Sequence, residues 1–519
     1  MSAVGPGTFR NESYREFSLR ENSDSMRDAL QRARNSFGRE SDLRIAGDAC
    51  KGGGTFASLN PSRPSEIVGI HQSGTVEQAC TAVEAAHAYF PEWSATPATK
   101  RIELLLRAAA IFRERKSDFN AWLILEAGKN WQEAEADTCE AIDFCEYYAR
   151  LMARLAKPEP LVQMPGEHGE LQYLPLGVGI IIPPWNFPLA ILVGMAAAAL
   201  VAGNTVIIKP SSETPTIAAK ALDVFLEAGF PPRSVSFLTG SGATIGDALV
   251  SHPKTRFVSF TGSREVGLHI NELAARTVKG QIWIKRVVAE MGGKDAIVID
   301  ADTDVDLAAA GVAASAFGYQ GQKCSACSRA IVHEDVYEEF LRCLLPRVEK
   351  LKQGPADEFG NDMGPVVSER AMKGILEYIE TGKREGRLLI GGERVAREGY
   401  YIAPTVIADV GRDARIFQEE IFGPVLAVTK ARDFNHALEL ANDTEYGLTG
   451  AAYTRDPQKI RLAKEKFFVG NLYINRKCTG AMVGAHPFGG FNMSGTDSKA
   501  GGPDYLLQFL QAKSIAEKV

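Results

Sequence analysis

The sequence predicts an α/β protein built on parallel sheets, and two observations carry that expectation. The runs Gly177-Val178-Gly179-Ile180-Ile181-Ile182 and Thr205-Val206-Ile207-Ile208 are β-branched and lack polar alternation, the pattern of strands buried on both faces, and helix-like segments separate them. Residues 234–238 and 257–260 continue the series, each followed by glycines and then an amphipathic stretch, at 245–251 and 266–275. A second series opens after Glu290, with Ala296-Ile297-Val298-Ile299, a long alanine-rich helix over 307–319, and Ala330-Ile331-Val332. This predicts a second α/β unit. Helices around 100–115 and 132–155 are expected to pack on the first domain. The first forty residues, polar and weakly patterned, are expected to form an extended arm or a surface helix.

Bulk properties exclude other classes. At 519 residues, 45% hydrophobic and 24% charged, the chain can bury more than one core, because single cores stop growing near ~250 to 300 residues. A net charge of -6 and no run of five basic residues leave no footprint for nucleic acid or anionic lipid, so the expected partner is a small molecule. Residues 1–24 mix Arg10, Glu12, Arg15 and Glu16 without an apolar run, which argues against a signal peptide. Residues 190–203, bounded by Pro188 and Asn204, are alanine-rich and fall short of the ~20 residues of a membrane span; they are expected to be a buried helix. Eight cysteines without secretory targeting point to reduced thiols and a cytoplasmic protein, and the histidines show no metal-ligand spacing.

Glycine turns could hold a dinucleotide. Phe260-Thr261-Gly262-Ser263 follows a strand and opens a helix, where backbone N–H groups and the helix dipole could face a pyrophosphate. The turn Leu238-Thr239-Gly240-Ser241-Gly242, with Gly246, is similar. Neither matches the spaced glycine fingerprint of a standard Rossmann site, and either could be a purely structural connection. Lys209 leaves the carboxyl end of a buried strand, well placed for a ribose or phosphate, or else is a solvated loop lysine.

The chemistry centres on Gly321-Gln322-Lys323-Cys324-Ser325-Ala326-Cys327, which follows an alanine-rich helix. Cys324 is a candidate nucleophile beside the cation of Lys323, since only the thiolate reacts and nearby positive charge favours it; inert buried thiols are the commoner case. Pro183-Pro184-Trp185-Asn186-Phe187-Pro188 fixes an asparagine amide in a rigid loop, a suitable oxyanion donor. Glu290, before Met291-Gly292-Gly293-Lys294, sits in an apolar, glycine-flanked setting where burial would raise its pKa toward that of a general base.

Six motifs together resemble the aldehyde dehydrogenase superfamily in order and kind: Pro184-Trp185-Asn186-Phe187-Pro188, Lys209-Pro210, Phe260-Thr261-Gly262-Ser263, Glu290-Met291-Gly292-Gly293-Lys294, Gly321-Gln322-Lys323-Cys324 and Glu419-Glu420-Ile421-Phe422-Gly423-Pro424. The likeness implies a Rossmann-like NAD-binding domain over 41–157 and 175–289 after an N-terminal arm over 1–40. It also implies a catalytic domain over 290–480, and an oligomerisation element over 158–174 and 490–519 that joins subunits into a homo-oligomer built on dimers. It assigns Cys324 as nucleophile, Asn186 with the Cys324 backbone N–H as oxyanion hole, and Glu290 as the base that activates water. Lys209 and Ser263 would hold adenosine ribose and pyrophosphate beside Gly242, Gly246 and Gly262, while Glu420 and Phe422 would position the nicotinamide ribose. Where many relatives carry glutamate three residues after the lysine, this chain has Ser212 and then Glu213. A carboxylate there would repel a 2′-phosphate, so its displacement leaves NADP possible beside NAD.

A narrower likeness concerns substrate. Thr479-Gly480-Ala481-Met482-Val483-Gly484, Pro487-Phe488-Gly489-Gly490, Ser494-Gly495-Thr496 and Gln281-Ile282-Trp283-Ile284-Lys285-Arg286 resemble the 1-pyrroline-5-carboxylate dehydrogenases, which oxidise L-glutamate γ-semialdehyde to glutamate in proline degradation. The resemblance implies that Ser325 and the N–H groups of Gly480 and Ala481 grip an α-carboxylate. Phe187 and Phe488 would sandwich the aliphatic chain, and Glu140 would face the α-ammonium. A broad-specificity aldehyde dehydrogenase, or a non-catalytic member of the superfamily, are the alternatives; retention of Cys324, Asn186 and Glu290 together argues against the second.

Overall fold

The computed structural model describes residues 7–519. Val178–Ile182 and Thr205–Ile208 pair in parallel, Gly179 opposite Val206 and Ile181 opposite Ile208, and of their aliphatic side chains only Ile182 is not fully buried. Around them a seven-stranded sheet runs Arg286–Glu290, Thr255–Thr261, Val178–Ile182, Thr205–Ile208 and Val235–Phe237. An antiparallel hairpin of Leu43–Ile45 and Asp48–Cys50 completes it. A second seven-stranded sheet runs Arg387–Ile390, Thr405–Ala408, Val425–Ala431, Arg329–His333, Ala296–Ile299, Thr449–Tyr453 and Asn471–Ile474, parallel except at its first strand.

Register positions the chemistry. Thr261 pairs with Glu290, Phe260 with Ile182 and Ile181 with Ile208, so four strands of the first sheet end almost level. The turns that follow them, bearing Ser263, Asn186, Lys209 and the Met291-Gly292-Gly293 link into the second sheet, therefore share its carboxyl edge, where ligands of parallel sheets bind.

Two helices back this edge. Ala190–Ala202 is buried at every residue except Ile191 and ends on Gly203 in the left-handed region, φ +101. It packs on Trp131–Leu155, and Gly194 permits the approach, because a Cβ there would lie 2.9 Å from the Phe144 ring. Among the described residues no helix is long and apolar enough to cross a membrane.

The alanine-rich helix is Val305–Phe317, beginning and ending two residues earlier than the sequence predicts. Tyr319 and Gln320 turn left-handed, at φ 50 and 56. Tertiary bonds hold them there: Tyr319 Oη donates to Ala127 O at 2.8 Å, and Gln320 Nε2 donates to Pro365 O at 2.7 Å and Gly128 O at 3.1 Å. Gly321 follows at φ +69, and a Cβ on it would sit 2.2 Å from Gly423 O, so no side chain is tolerated. This sharp turn delivers Cys324.

The N-terminal segment is more than an arm. Residues 7–17 run extended across the protein, and Arg20–Arg34 is a helix whose Met26, Ala29, Leu30 and Ala33 are buried in contact with Lys116–Ala127. At the other end, Leu510–Lys518 pairs antiparallel with Glu167–Pro175, which pairs in turn with Glu159–Pro160. Val162 and Met164 beside this small sheet are exposed.

Candidate active site

A cavity of about 160 Å³ lies beside the first sheet's carboxyl edge, with Cys324, Glu290, Ser325, Thr261 and Met291 at one end. At ~30 Å³ per water, its volume suits a small metabolite rather than a polymer. Phe187 and Phe488 line its sides, and Glu133, Glu140, Asp143, Gly480, Ala481 and Met482 line the remainder. The structure thus brings the candidate catalytic and substrate residues to one cavity except Asn186, which does not line it but adjoins Phe187, which does.

Asn186 is buried and its Nδ2 donates to Gln322 O at 3.0 Å, two residues before Cys324. That bond fixes the amide plane and uses one of its two donors; the other remains for an oxyanion. Glu290 ends its strand with Oε1 accepting from Ser498 Oγ at 2.5 Å, while Oε2 is buried without a partner among the described residues. Burial raises its pKa to about 7, against the opposing bond from Ser498. A carboxyl so poised can take a proton from water near neutral pH.

Cys324 departs from expectation. Its thiol is pushed well above the usual range, first by burial and then by Asp295, Glu420 and Glu290. Lys323 does not offset this, because its Nζ donates to Glu133 Oε1 at 2.6 Å and turns toward the other end of the cavity.

That other end is acidic. Burial, reinforced by Asp137 and Asp143, raises Glu140 to about 8; burial raises Asp143 to about 6 despite bonds from Asn11 and the Glu12 backbone. Three carboxylates, Glu133, Glu140 and Asp143, face one ammonium, Lys323. Ser325 is buried, and among the described residues its hydroxyl bonds no protein group, whereas its carbonyl accepts from Cys478 Sγ at 3.3 Å.

Lys129 was not singled out by the sequence. It is wholly buried, its Nζ 3.7 Å from the Phe187 ring centroid, 4.2 Å from that of Tyr319 and 3.4 Å from Asp137 Oδ2. The ammonium is held between two aromatic faces, one on the Asn186 loop and one on the turn leading to Cys324. Ser498, Tyr14 and Glu133 were also missed: each lies far in sequence from the motif it serves. Only the Trp131–Leu155 helix, carrying Glu133, Asp137, Glu140 and Asp143 at spacings of three and four, offered a signal.

Of the candidate cofactor residues, Lys209, Ser212, Gly242, Gly246, Gly262 and Ser263 follow strands of the first sheet, whereas Glu420 and Phe422 precede the strand Val425–Ala431 of the second. Lys209 is buried, burial lowers its pKa to about 8, and among the described residues its only close acceptor is Pro210 O at 3.4 Å. Gly246 lies against it, a Cβ there being 3.9 Å from Lys209 Cε, and Gly242 faces open space. Ser263 caps Arg264–Ala275, its Oγ accepting from Val266 N, and Gly262 N donates to Glu290 O at 3.1 Å. Ser212 is exposed, while Glu213 is raised by burial and held by the Ser368 hydroxyl facing Arg370. Glu420 Oε1 accepts from Gly293 N at 3.0 Å and is raised by burial to about 7; a Cβ on Gly292 would collide with its carboxylate. Phe422, at φ 58, packs edge-on against Trp185 with centroids 5.3 Å apart. Among the described residues no cluster of His, Cys, Asp or Glu could hold a metal ion.

Residues 49–515 match the model of the aldehyde dehydrogenase family. A 1-pyrroline-5-carboxylate dehydrogenase of Geobacillus kaustophilus (strain HTA426) is 52% identical over 509 residues, which are 98% of this chain and 99% of the relative. A crystal structure of 1-pyrroline-5-carboxylate dehydrogenase from Thermus with bound NAD superposes with a TM-score of 0.97 at 50% identity, covering all of both chains. A betaine aldehyde dehydrogenase from Staphylococcus aureus in complex with NAD+ superposes at 0.88 with 30% identity, covering 95% of this chain and 97% of the other.

Proposed function

The chain belongs to the aldehyde dehydrogenase family, and from that premise we propose that it oxidises L-glutamate γ-semialdehyde to L-glutamate with NAD, the step that follows 1-pyrroline-5-carboxylate in proline degradation. The observation that carries the substrate is the cavity's polarity: a nucleophile and base at one end, an apolar aromatic middle, and excess buried carboxylate at the other. Burial holds the Glu140 carboxyl neutral up to about pH 8, and an α-ammonium opposite it would favour its ionised form and pair with it. The Ser325 hydroxyl and the Gly480 and Ala481 N–H groups are the matching donors for an α-carboxylate. Phe187 and Phe488 cover the methylenes between.

Chemistry follows from the catalytic end. A planar aldehyde cannot release hydride without forming an acylium-like centre, so the Cys324 thiolate first adds to the carbonyl carbon. The resulting alkoxide takes the free Asn186 N–H and the Cys324 backbone N–H. Collapse of the alkoxide breaks the C–H bond, expels hydride toward the nicotinamide site and leaves a thioester on Cys324. Glu290 then removes a proton from water, which attacks the thioester, frees the carboxylate product and returns the thiol.

A dinucleotide fits the sheet edge: Lys209 is buried with almost no protein acceptor, Gly246 and Gly242 leave room beside it, and Ser263 opens a helix N-terminus. NAD, when bound, supplies the hydride acceptor. Lys209 and Ser263 would hold its adenosine half, and Glu420 and Phe422 its nicotinamide ribose. With Ser212 in place of a carboxylate and Glu213 turned to Ser368, NADP is admitted as well. We assign 41–157 and 175–289 to the cofactor domain and 290–480 to the catalytic domain. The small sheet with exposed Val162 and Met164 we assign to a homo-oligomer built on dimers, acting in the cytoplasm.

The test is a steady-state comparison of L-glutamate γ-semialdehyde with propanal, using NAD and then NADP. Two or more charge-assisted contacts at roughly 1.5 to 3 kcal/mol each should favour the semialdehyde in kcat/KM by about 100-fold or more. Equal efficiencies would leave a broad-specificity aldehyde dehydrogenase.

A further inference from the structure

Residues 7–17 cross the acidic end of the cavity and touch both of its walls. Asn11 Nδ2 donates to Asp143 Oδ2 at 2.8 Å on the Trp131–Leu155 helix and to Val483 O at 3.0 Å on the loop carrying Gly480 and Ala481. Glu12 N donates to Asp143 Oδ1 at 2.6 Å. Between these attachments and Arg15, whose N donates to Glu135 Oε1 at 3.0 Å, Tyr14 lines the cavity with its Oη 3.7 Å from Met482 Sδ. The strip is not loosely laid. The Glu12 carboxylate pairs with Arg113 at 2.7 Å and with the buried Lys116 at 3.3 Å, and Lys116 also donates to Ser13 O at 2.8 Å. Phe9 meets Tyr147 edge-on at 5.1 Å and presses on Gly484, where a Cβ would lie 3.0 Å away.

We propose that residues 9–15 form a third wall of the substrate site: Tyr14 contacts the far end of any aldehyde long enough to reach it, and Asn11 positions the carboxylate helix against the Gly480–Ala481 loop. Two walls facing each other across a cavity fix its width only if something spans them, and Asn11 does so with one amide. Asp143, flanked on one side by cavity and on the other by the arm, owes its orientation to two donors from the arm. Tyr14 keeps about half its surface exposed at 53%, so it closes the mouth at that end without sealing it. The identity of the head group rests on the function proposed above; the wall itself does not.

Full-length Tyr14→Ala and Asn11→Asp are assayed with glutamate semialdehyde, pentanal and propanal, with thermal melting as a check on folding. Loss of an aromatic contact worth about 1 to 2 kcal/mol should raise KM for glutamate semialdehyde and pentanal relative to propanal by roughly 5- to 30-fold in Tyr14→Ala, with kcat within about twofold. Asn11→Asp sets a carboxylate against Asp143 and should produce the same KM-selective loss, whereas damage to the catalytic end would fall on kcat and on propanal alike. Equal changes for all three aldehydes, or no change in either folded variant, overturn the proposal. If the unaltered protein treats glutamate semialdehyde and pentanal alike, the amino-acid substrate is wrong. The wall is then still decided by pentanal against propanal.

Discussion

Replacing Glu290 by Gln keeps the side chain's shape and the acceptor for Ser498 Oγ, and removes only the base. Thiolate addition and hydride loss do not use Glu290, so each site should form NADH once and then stall as the acyl-enzyme. General-base catalysis contributes about 10²- to 10⁴-fold, and hydrolysis of the thioester should slow by that range. The pH dependence has a definite sign. Burial lifts the Glu290 carboxyl to about 7, and its basic form therefore accumulates as pH rises through neutrality. From pH 6 to pH 8 the ionised fraction goes from about one tenth to about nine tenths, so deacylation in the unaltered protein should climb roughly ninefold and then level. An ordinary, solvated glutamate would give no slope there. Rapid mixing with NADH absorbance reads the burst, and intact-protein mass spectrometry reads the acyl adduct. A Glu290→Gln protein with undiminished steady-state turnover, or a deacylation midpoint near pH 4.5 in the unaltered protein, would refute the role.

Cys324→Ala should abolish turnover while leaving NAD affinity nearly unchanged, and Cys327→Ala, at a buried thiol bonded to Arg329 O, should be far milder; equal loss in the two, measured at saturating substrate, would misplace the nucleophile. Ser325→Ala should lower kcat/KM for glutamate semialdehyde about 10- to 100-fold, and Ala481→Pro, which deletes a backbone donor, at least as much, with propanal scarcely affected; equal losses on both aldehydes would make Ser325 a packing residue. Lys323→Met should leave the pH midpoint of Cys324 alkylation by iodoacetamide, read by peptide mass spectrometry, within about half a unit, while Glu420→Gln should lower it. A midpoint raised by a full unit in Lys323→Met would restore the lysine as the thiol's activator.

The parallel strands were legible because burial on both faces writes itself as uninterrupted Val and Ile, and Thr205–Ile208 and Ala296–Ile299 have the bounds their runs suggest. The turn before Cys324 was not, since nothing in Phe317-Gly318-Tyr319-Gln320 forbids another helical turn. The partners that force Tyr319 and Gln320 left-handed are Ala127, Gly128 and Pro365, remote in sequence. The helix Arg20–Arg34 was legible only in part. Its buried stripe, Met26, Ala29, Leu30 and Ala33, has helical spacing, but it is narrow and set among Arg, Glu and Asp, so the sequence left an extended arm or a surface helix open, and the structure has one after the other. Motif residues that touch one another were recognisable together; the residues that support them, Ser498 under Glu290 or Lys129 behind Phe187, carry no local pattern at all.

Lys323 shows why adjacency in sequence is a poor guide to electrostatics. A lysine beside a nucleophilic cysteine suggests activation, yet the ammonium lies with Glu133 and serves the acidic end of the cavity. The charged groups that act most on Cys324 are Asp295, Glu420 and Glu290, and they favour the neutral thiol against the opposing Ser325 backbone N–H. Glu133, Glu140 and Asp143 are absent from that set. The cavity therefore keeps two electrostatic regimes within one small volume: carboxylates arranged for a cation at one end, and a thiol held protonated at the other. Pairing Lys323 with Glu133 reduces the charge that the acidic end projects along the cavity. With substrate bound, an α-ammonium at Glu140 would reduce it further. Occupancy of the head end then acts on binding rather than on the thiol, so an amino-acid aldehyde should be preferred over a short aldehyde through KM, with Cys324 equally ready for both.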